Sequence, residues 1–157
     1  LIYLSIYVTM TIGVFAAMHL MRRDDMMIED IDSLKGLSKN NLPLAVSLAT
    51  LMFSLAGIPL LAGFFGKWYV FLAAVQAGLE GLAVVGVLTS VVGAYYYLKI
   101  VKLMFFDEPE QAFEENVDPA SSFFVGTTAV LNSPLSYFIL IAPLTLIAGW
   151  AAQTLIF

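Results

Sequence analysis

Apolar residues in this chain fall into long, nearly uninterrupted blocks, and the polar residues gather in short stretches between them. The first block, 1–21, would extend about 30 Å as a helix, enough to cross a bilayer's hydrocarbon core. Within it Tyr3 and Tyr7, and Ser5 and Thr9, recur at i,i+4, so part of this helix is expected to pack on other helices. A polar connection follows, from Arg22-Arg23-Asp24-Asp25 to Asn40-Asn41. It mixes charge with Gly36, Ser38 and the Asn pair, as loops do.

The second block, Pro43 to Val75, would be about 50 Å long as one helix, too long for an untilted crossing. Pro43 suits a helix start. Pro59, inside the run, removes a backbone donor and clashes with the preceding turn, and Gly57, Gly63 and Gly66 loosen the same region. A discontinuous helix is therefore expected, its irregular backbone buried in protein or lining a wet cavity. A turn at 76–80 leads to a third span, 81–106, whose end carries Tyr95-Tyr96-Tyr97, Lys99 and Lys102, an apparent interface anchor. Next come six carboxylates and Pro109 between Asp107 and Asp118. The mixed stretch 120–133 has room for only a short interfacial helix, and 134–157, with Pro143 and Trp150, reads as the last span. The expectation is an all-α membrane protein with four transmembrane helices, about 1–21, 43–75, 81–106 and 134–157, the second discontinuous.

Composition agrees: 61% of the 157 residues are hydrophobic and 12% are charged. Without cysteine, and with His19 as the single histidine, thiolate, iron-sulfur and histidine-based metal or haem sites are not expected. The net charge of −5 comes mostly from the two connections and gives no reason to expect a nucleic-acid surface. Arg22, Arg23, Lys35 and Lys39 in one connection, and Lys99 and Lys102 beside the other, place 22–42 and 107–133 on the cytoplasmic side. The 76–80 turn and the C-terminus then lie opposite. The chain begins at Leu1 inside an apolar run without an initiator Met, and reads as part of a longer protein.

Lys67 is the only charge between Pro43 and Leu79. A lysine at the centre of a spanning helix costs ~2.5 to 3.5 kcal/mol on insertion scales, so it is a functional candidate by default. Proton or ion passage is the evident use; the alternative is a structural lysine that snorkels or caps carbonyls freed near Pro59. Three further residues are candidates for a proton path. His19 could relay protons from a loop, Lys99 could face the bundle, and Glu80 could serve as an exit group on the opposite side.

The segment Phe53-Ser54-Leu55-Ala56-Gly57-Ile58-Pro59-Leu60-Leu61-Ala62-Gly63-Phe64-Phe65-Gly66-Lys67-Trp68-Tyr69 resembles the broken-helix signature of the antiporter-like membrane subunits of respiratory complex I. Supporting pieces are Tyr7-Val8-Thr9-Met10-Thr11-Ile12-Gly13-Val14-Phe15-Ala16, Asp32-Ser33-Leu34-Lys35-Gly36-Leu37 and Gly93-Ala94-Tyr95-Tyr96-Tyr97-Leu98-Lys99-Ile100-Val101. Within the family, the Gly66-Lys67-Trp68-Tyr69 wording favours one paralogue.

The resemblance implies a fourteen-helix subunit with two inverted repeats, this chain supplying its last four helices and Lys67 the protonatable residue of the second broken helix. It implies proton translocation coupled to quinone reduction elsewhere, with NADH, FMN, iron-sulfur clusters and quinone held by partner subunits and no cofactor or metal in this chain. Partners would be other membrane subunits of the complex and lipid. The location would be a bacterial inner membrane or, alternatively, a mitochondrial inner membrane. The signature is shared with cation/proton antiporters and membrane-bound hydrogenases, and a passive membrane scaffold is the non-transport alternative.

Overall fold

The computed structural model describes all residues except 24, 25, 110, 111, 114–117, 136–140 and 155–157. Its helices are α1 Ile2–His19, α2 Leu37–Asn40, α3 Leu42–Ala56, α4 Ala62–Gln76, α5 Glu80–Phe106, α6 Pro119–Asn132 and α7 Ala142–Thr154. Two of them, α1 and α5, are long and apolar enough to cross a membrane. A two-residue hairpin, Arg22–Arg23 against Met26–Met27, follows α1, and a single 3₁₀ turn spans Ile31–Leu34.

Local chemistry sets the helix ends. Asn41 caps α3, its Oδ1 accepting from the Leu44 amide at 3.1 Å, while Pro43 sits in the first turn where a missing N–H costs nothing. Gly57 ends α3 in the left-handed conformation (φ 87°, ψ 36°), and its own amide and that of Ile58 return to Phe53 O. Asp118 caps α6, with Oδ2 accepting from the Ser121 hydroxyl at 2.7 Å and the Ser121 amide at 2.9 Å. Those two bonds, the Ala120 amide and the charge of nearby His19 hold the Asp118 carboxyl below the usual carboxylate range.

Both polar connections meet at one end of the bundle. The Gly36 amide donates to Leu103 O at 3.0 Å, and Lys39 reaches Glu108 at 3.5 Å. Gly36 has φ 63° and packs against the Pro109 backbone, so no side chain fits there. Beneath this end lies the larger core cluster, which includes Ala17, Leu48, Met52, Ile100, Met104 and Val125 from α1, α3, α5 and α6, together with Met21 just beyond α1. A smaller cluster, Ile6, Met10, Ala62 and Ile141, fills the region towards the other end.

The C-terminal part differs from the sequence expectation. The stretch 120–133, expected to be a mixed connection with a short interfacial helix, contains the regular helix α6, packed along α1 and α3. Its small and weakly polar residues Ser121, Val125, Thr128, Ala129 and Asn132 form one buried face, which explains why hydropathy alone undervalued it. Gly13 of α1 lies directly against Thr128 and Leu51, close enough that any Cβ would collide with them. Of the span expected at 134–157, the described helix is α7, and 136–140 and 155–157 lie outside the described residues.

Candidate functional site

The long apolar block stops being helical after Ala56 and resumes at Ala62. Between them the Leu61 amide bonds back to Ile58 O at 3.3 Å, with Pro59 at the second position and Leu60 at φ 77° in the third. This is the pattern of a type II turn, in which proline is favoured second and glycine third. A leucine at positive φ is uncommon, and strained backbone of this kind gathers at functional sites.

An interrupted helix leaves four carbonyls and four amides to be satisfied. Phe53 O and Ser54 O accept from the Gly57 and Ile58 amides. The last two carbonyls, Leu55 O and Ala56 O, both accept from Lys67 Nζ, at 3.0 and 3.1 Å. On the other side of the gap α4 has no side-chain cap of its own. Its Gly63 amide donates instead to Ser54 Oγ of α3, at 2.9 Å. The two helix ends touch here, because a Cβ on Gly63 would overlap the Ser54 carbonyl oxygen.

Ser54 Oγ in turn donates to Asn132 Oδ1 of α6 at 3.3 Å, and Asn132 Nδ2 donates to Thr128 O at 2.8 Å. Ser54 and Asn132 are completely buried.

Lys67 faces a cavity of about 230 Å³ between α1, α4 and α5, bordered by Tyr3, Tyr7, Thr89, Ser90 and Tyr97. Among the described residues, no carboxylate borders it. The ammonium is matched instead by the carbonyl end of α3, where the helix dipole places about half a negative charge. Two hydrogen bonds from a charged donor, at ~1.5 to 3 kcal/mol each, are enough to offset the ~2.5 to 3.5 kcal/mol insertion cost. A counter-ion is therefore not needed to hold the lysine in place. A second cavity, about 380 Å³, lies between α1, α3, α5 and the 29–34 segment, and shares Tyr7, Leu55 and Tyr97 with the first.

Of the other sequence candidates, Gly57 and Pro59 belong to this centre, and His19, Lys99 and Glu80 lie apart from it. Gly57 lies against the Lys67 side chain, where an added Cβ would be 3.1 Å from Cδ and 3.3 Å from Nζ. Pro59 is exposed within the turn. His19 is exposed at the far end of α1, roughly 24 Å along the helix from Tyr3, which packs on Gly66. Lys99 is exposed and borders neither cavity; Tyr97 borders both, Tyr96 borders the second and is half-exposed, and Tyr95 is exposed. Glu80 is exposed beside an apolar groove with Trp68 and Phe71.

Sequence reasoning missed Ser54, Asn132 and Tyr97. Ser54 had a signal, as a hydroxyl in an apolar run three residues before Gly57. Tyr97 was hidden among neighbours suited to an interface belt.

Comparison with known proteins gives this geometry a family. Residues 1–93 match the family described as NADH:quinone oxidoreductase/Mrp antiporter, TM. The NADH-quinone oxidoreductase subunit N of Paramagnetospirillum magneticum is 48% identical over 155 residues, covering 99% of this chain and 31% of that protein. Its namesakes from Methylobacterium nodulans and Parvibaculum lavamentivorans are each 50% identical, covering 98% and 99% of this chain and 31% and 32% of theirs. The chain thus spans about a third of the length of these relatives. A solved structure, respiratory complex I from Thermus thermophilus with bound aureothin, contains a chain that matches with TM-score 0.76 and 33% identity, over 90% of this chain and 33% of that one. The paralogue favoured by Gly66-Lys67-Trp68-Tyr69 is the one for which these relatives are named. With its first 93 residues matched and the fold shared, this chain is a membrane protein and belongs to the NADH:quinone oxidoreductase/Mrp antiporter transmembrane family.

Proposed function

We propose that the chain is the C-terminal portion of a proton-translocating membrane subunit of NADH:quinone oxidoreductase, and that Lys67 is its proton-transfer group. The observation that carries this reading is the pair of bonds from Lys67 Nζ to Leu55 O and Ala56 O beside a cavity. A lysine ammonium has three donors. Two are taken by the carbonyls, leaving the third for the cavity. When that proton departs, a neutral amine still has two N–H donors for the same carbonyls and presents its lone pair to the cavity. Both protonation states therefore fit one side-chain position.

In this reading α3 and α4 form one discontinuous crossing, α1 and α5 two others, and α6 begins the fourth. The connections 22–41 and 107–118 lie on the cytoplasmic side and the 76–80 turn on the periplasmic side of a bacterial inner membrane. Quinone reduction in partner subunits supplies the energy, and this chain carries no electron. Membership of a cation/proton antiporter or a membrane-bound hydrogenase is distinguished by the subunits that co-purify.

The same two bonds also suit a lysine that only ties the helix ends together. Replacing Lys67 by arginine separates the readings, because guanidinium can cap carbonyls but cannot release a proton. The assembled Lys67→Arg complex is expected to recover only part of the pumping lost in Lys67→Ala. Full pumping by Lys67→Arg would assign Lys67 a structural role, and full pumping by assembled Lys67→Ala would remove it from the mechanism.

A further inference from the structure

The buried contact between α6 and the break is not accounted for by proton transfer at Lys67 itself. Asn132 ends α6, and its Oδ1 accepts the Ser54 hydroxyl at 3.3 Å with both residues shut off from solvent. Its Nδ2 is anchored to Thr128 O one turn back, so the carboxamide is held at both ends and its orientation is fixed. The Ser54 hydroxyl, with its proton committed to Asn132, presents a lone pair to the Gly63 amide. Without that acceptor, a serine in a helix turns its hydroxyl to the carbonyl of its own preceding turn.

Ser54 is adjacent to Leu55 and Ala56, whose carbonyls hold Lys67 Nζ, and Gly63 lies one turn before Lys67 on the same face of α4. The Ser54–Gly63 bond therefore spans the gap that Lys67 also spans.

We infer that Asn132 is a positioning residue for the proton-transfer site: through Ser54 it fixes the spacing of the two helix ends between which the Lys67 amine is held. This rests on the proposed role of Lys67. The role gives α6 a direct part in the site. Its packing along α1, where Gly13 admits Thr128 at close range, sets the depth at which Asn132 meets the break. A displacement of α6 would reach Lys67 through one buried hydroxyl.

The test uses the complete complex in native membranes, measuring the rate of proton transport and the amount of assembled complex. Asn132→Leu keeps the side chain's size and removes the acceptor, and Ser54→Ala removes the hydroxyl from the other side. Each should assemble and move protons about five- to ten-fold more slowly per assembled complex, the effect of leaving one buried polar group unmatched. Asn132→Asp retains an oxygen towards Ser54 and should recover part of the loss, which a purely volumetric role would not give.

In a Lys67→Arg background, Asn132→Leu should cost little further, because both changes act on one step. If Asn132→Leu does not assemble, the Ser54→Ala membranes decide. Unchanged pumping by assembled Asn132→Leu or Ser54→Ala, with Lys67→Ala still defective, would overturn the inference alone. Normal pumping by Lys67→Ala would instead overturn the proposed function.

Discussion

Gly57 offers the most quantitative perturbation, because alanine there should act on the backbone and on Lys67 separately. Its φ of 87° lies in the left-handed region, where a residue bearing a Cβ costs about 1 to 2 kcal/mol. The added methyl would lie 3.1 Å from Lys67 Cδ and 3.3 Å from Nζ, inside the ~3.5 to 4.0 Å of optimal contact. The lysine must then give way by a few tenths of an ångström, at the expense of its bonds to Leu55 O and Ala56 O. Weakening one charge-assisted bond by about 1.4 kcal/mol corresponds to about ten-fold in rate. Asparagine tolerates the left-handed conformation but places its Cβ in the same spot. Gly57→Asn should therefore restore assembly relative to Gly57→Ala while leaving pumping low. The assay is the initial rate of proton uptake into inverted vesicles during quinone reduction, normalised to assembled complex on native gels. Wild-type pumping by Gly57→Ala, or recovery of pumping and assembly together in Gly57→Asn, would refute the reasoning.

Pro59→Ala removes a φ already set for the turn, an effect of about 1 kcal/mol, but leaves the Gly57 cap in place; pumping should fall more than assembly does, though less than in Gly57→Ala, by the same vesicle assay. For topology, Ser33→Cys should be protected from a membrane-impermeant thiol reagent added outside intact spheroplasts while Gln76→Cys reacts, and the reverse pattern would invert the proposed orientation. The Asp118 carboxyl, held low chiefly by the Ser121 hydroxyl, supports the start of α6 fully at neutral pH, and that support is lost as pH falls through and below the ordinary carboxylate range. The protection of the Ala120 and Ser121 amides, taken as exchange relative to its intrinsic rate at each pH, should fall on acidification in the unmodified protein and change little with pH in Asp118→Asn.

The parts legible from sequence were those written in single-residue chemistry. A lone lysine in an apolar run, a proline and glycines within it, and charges gathered between blocks are local signals, and they singled out Lys67, the stretch around Gly57 and Pro59 where α3 gives way to α4, and the two connections. What escaped depends on contacts between distant segments. Asn132 and Thr128 are unremarkable polar residues until α6 packs on α3, and the weak hydropathy of 119–132 reflects a face made of small residues for close approach. Tyr97 differs from Tyr95 and Tyr96 only in the helical angle at which it leaves α5, and which face of that apolar helix turns inward is set by its neighbours. In the proposed function, the structural and catalytic descriptions of Lys67, which the sequence left as alternatives, would use the same two bonds to Leu55 O and Ala56 O.

The central claim is that the Lys67 amine alternates between charged and neutral forms while it stays on the two α3 carbonyls. Isotope-edited infrared difference spectroscopy on complex with ¹⁵N-labelled lysine tests it most directly, with Lys67→Arg complex as the control. The account predicts an ammonium band that is lost and regained during quinone reduction in the unmodified complex and is missing from the Lys67→Arg difference spectrum. An ammonium signal from Lys67 that stays constant while protons are pumped would contradict it.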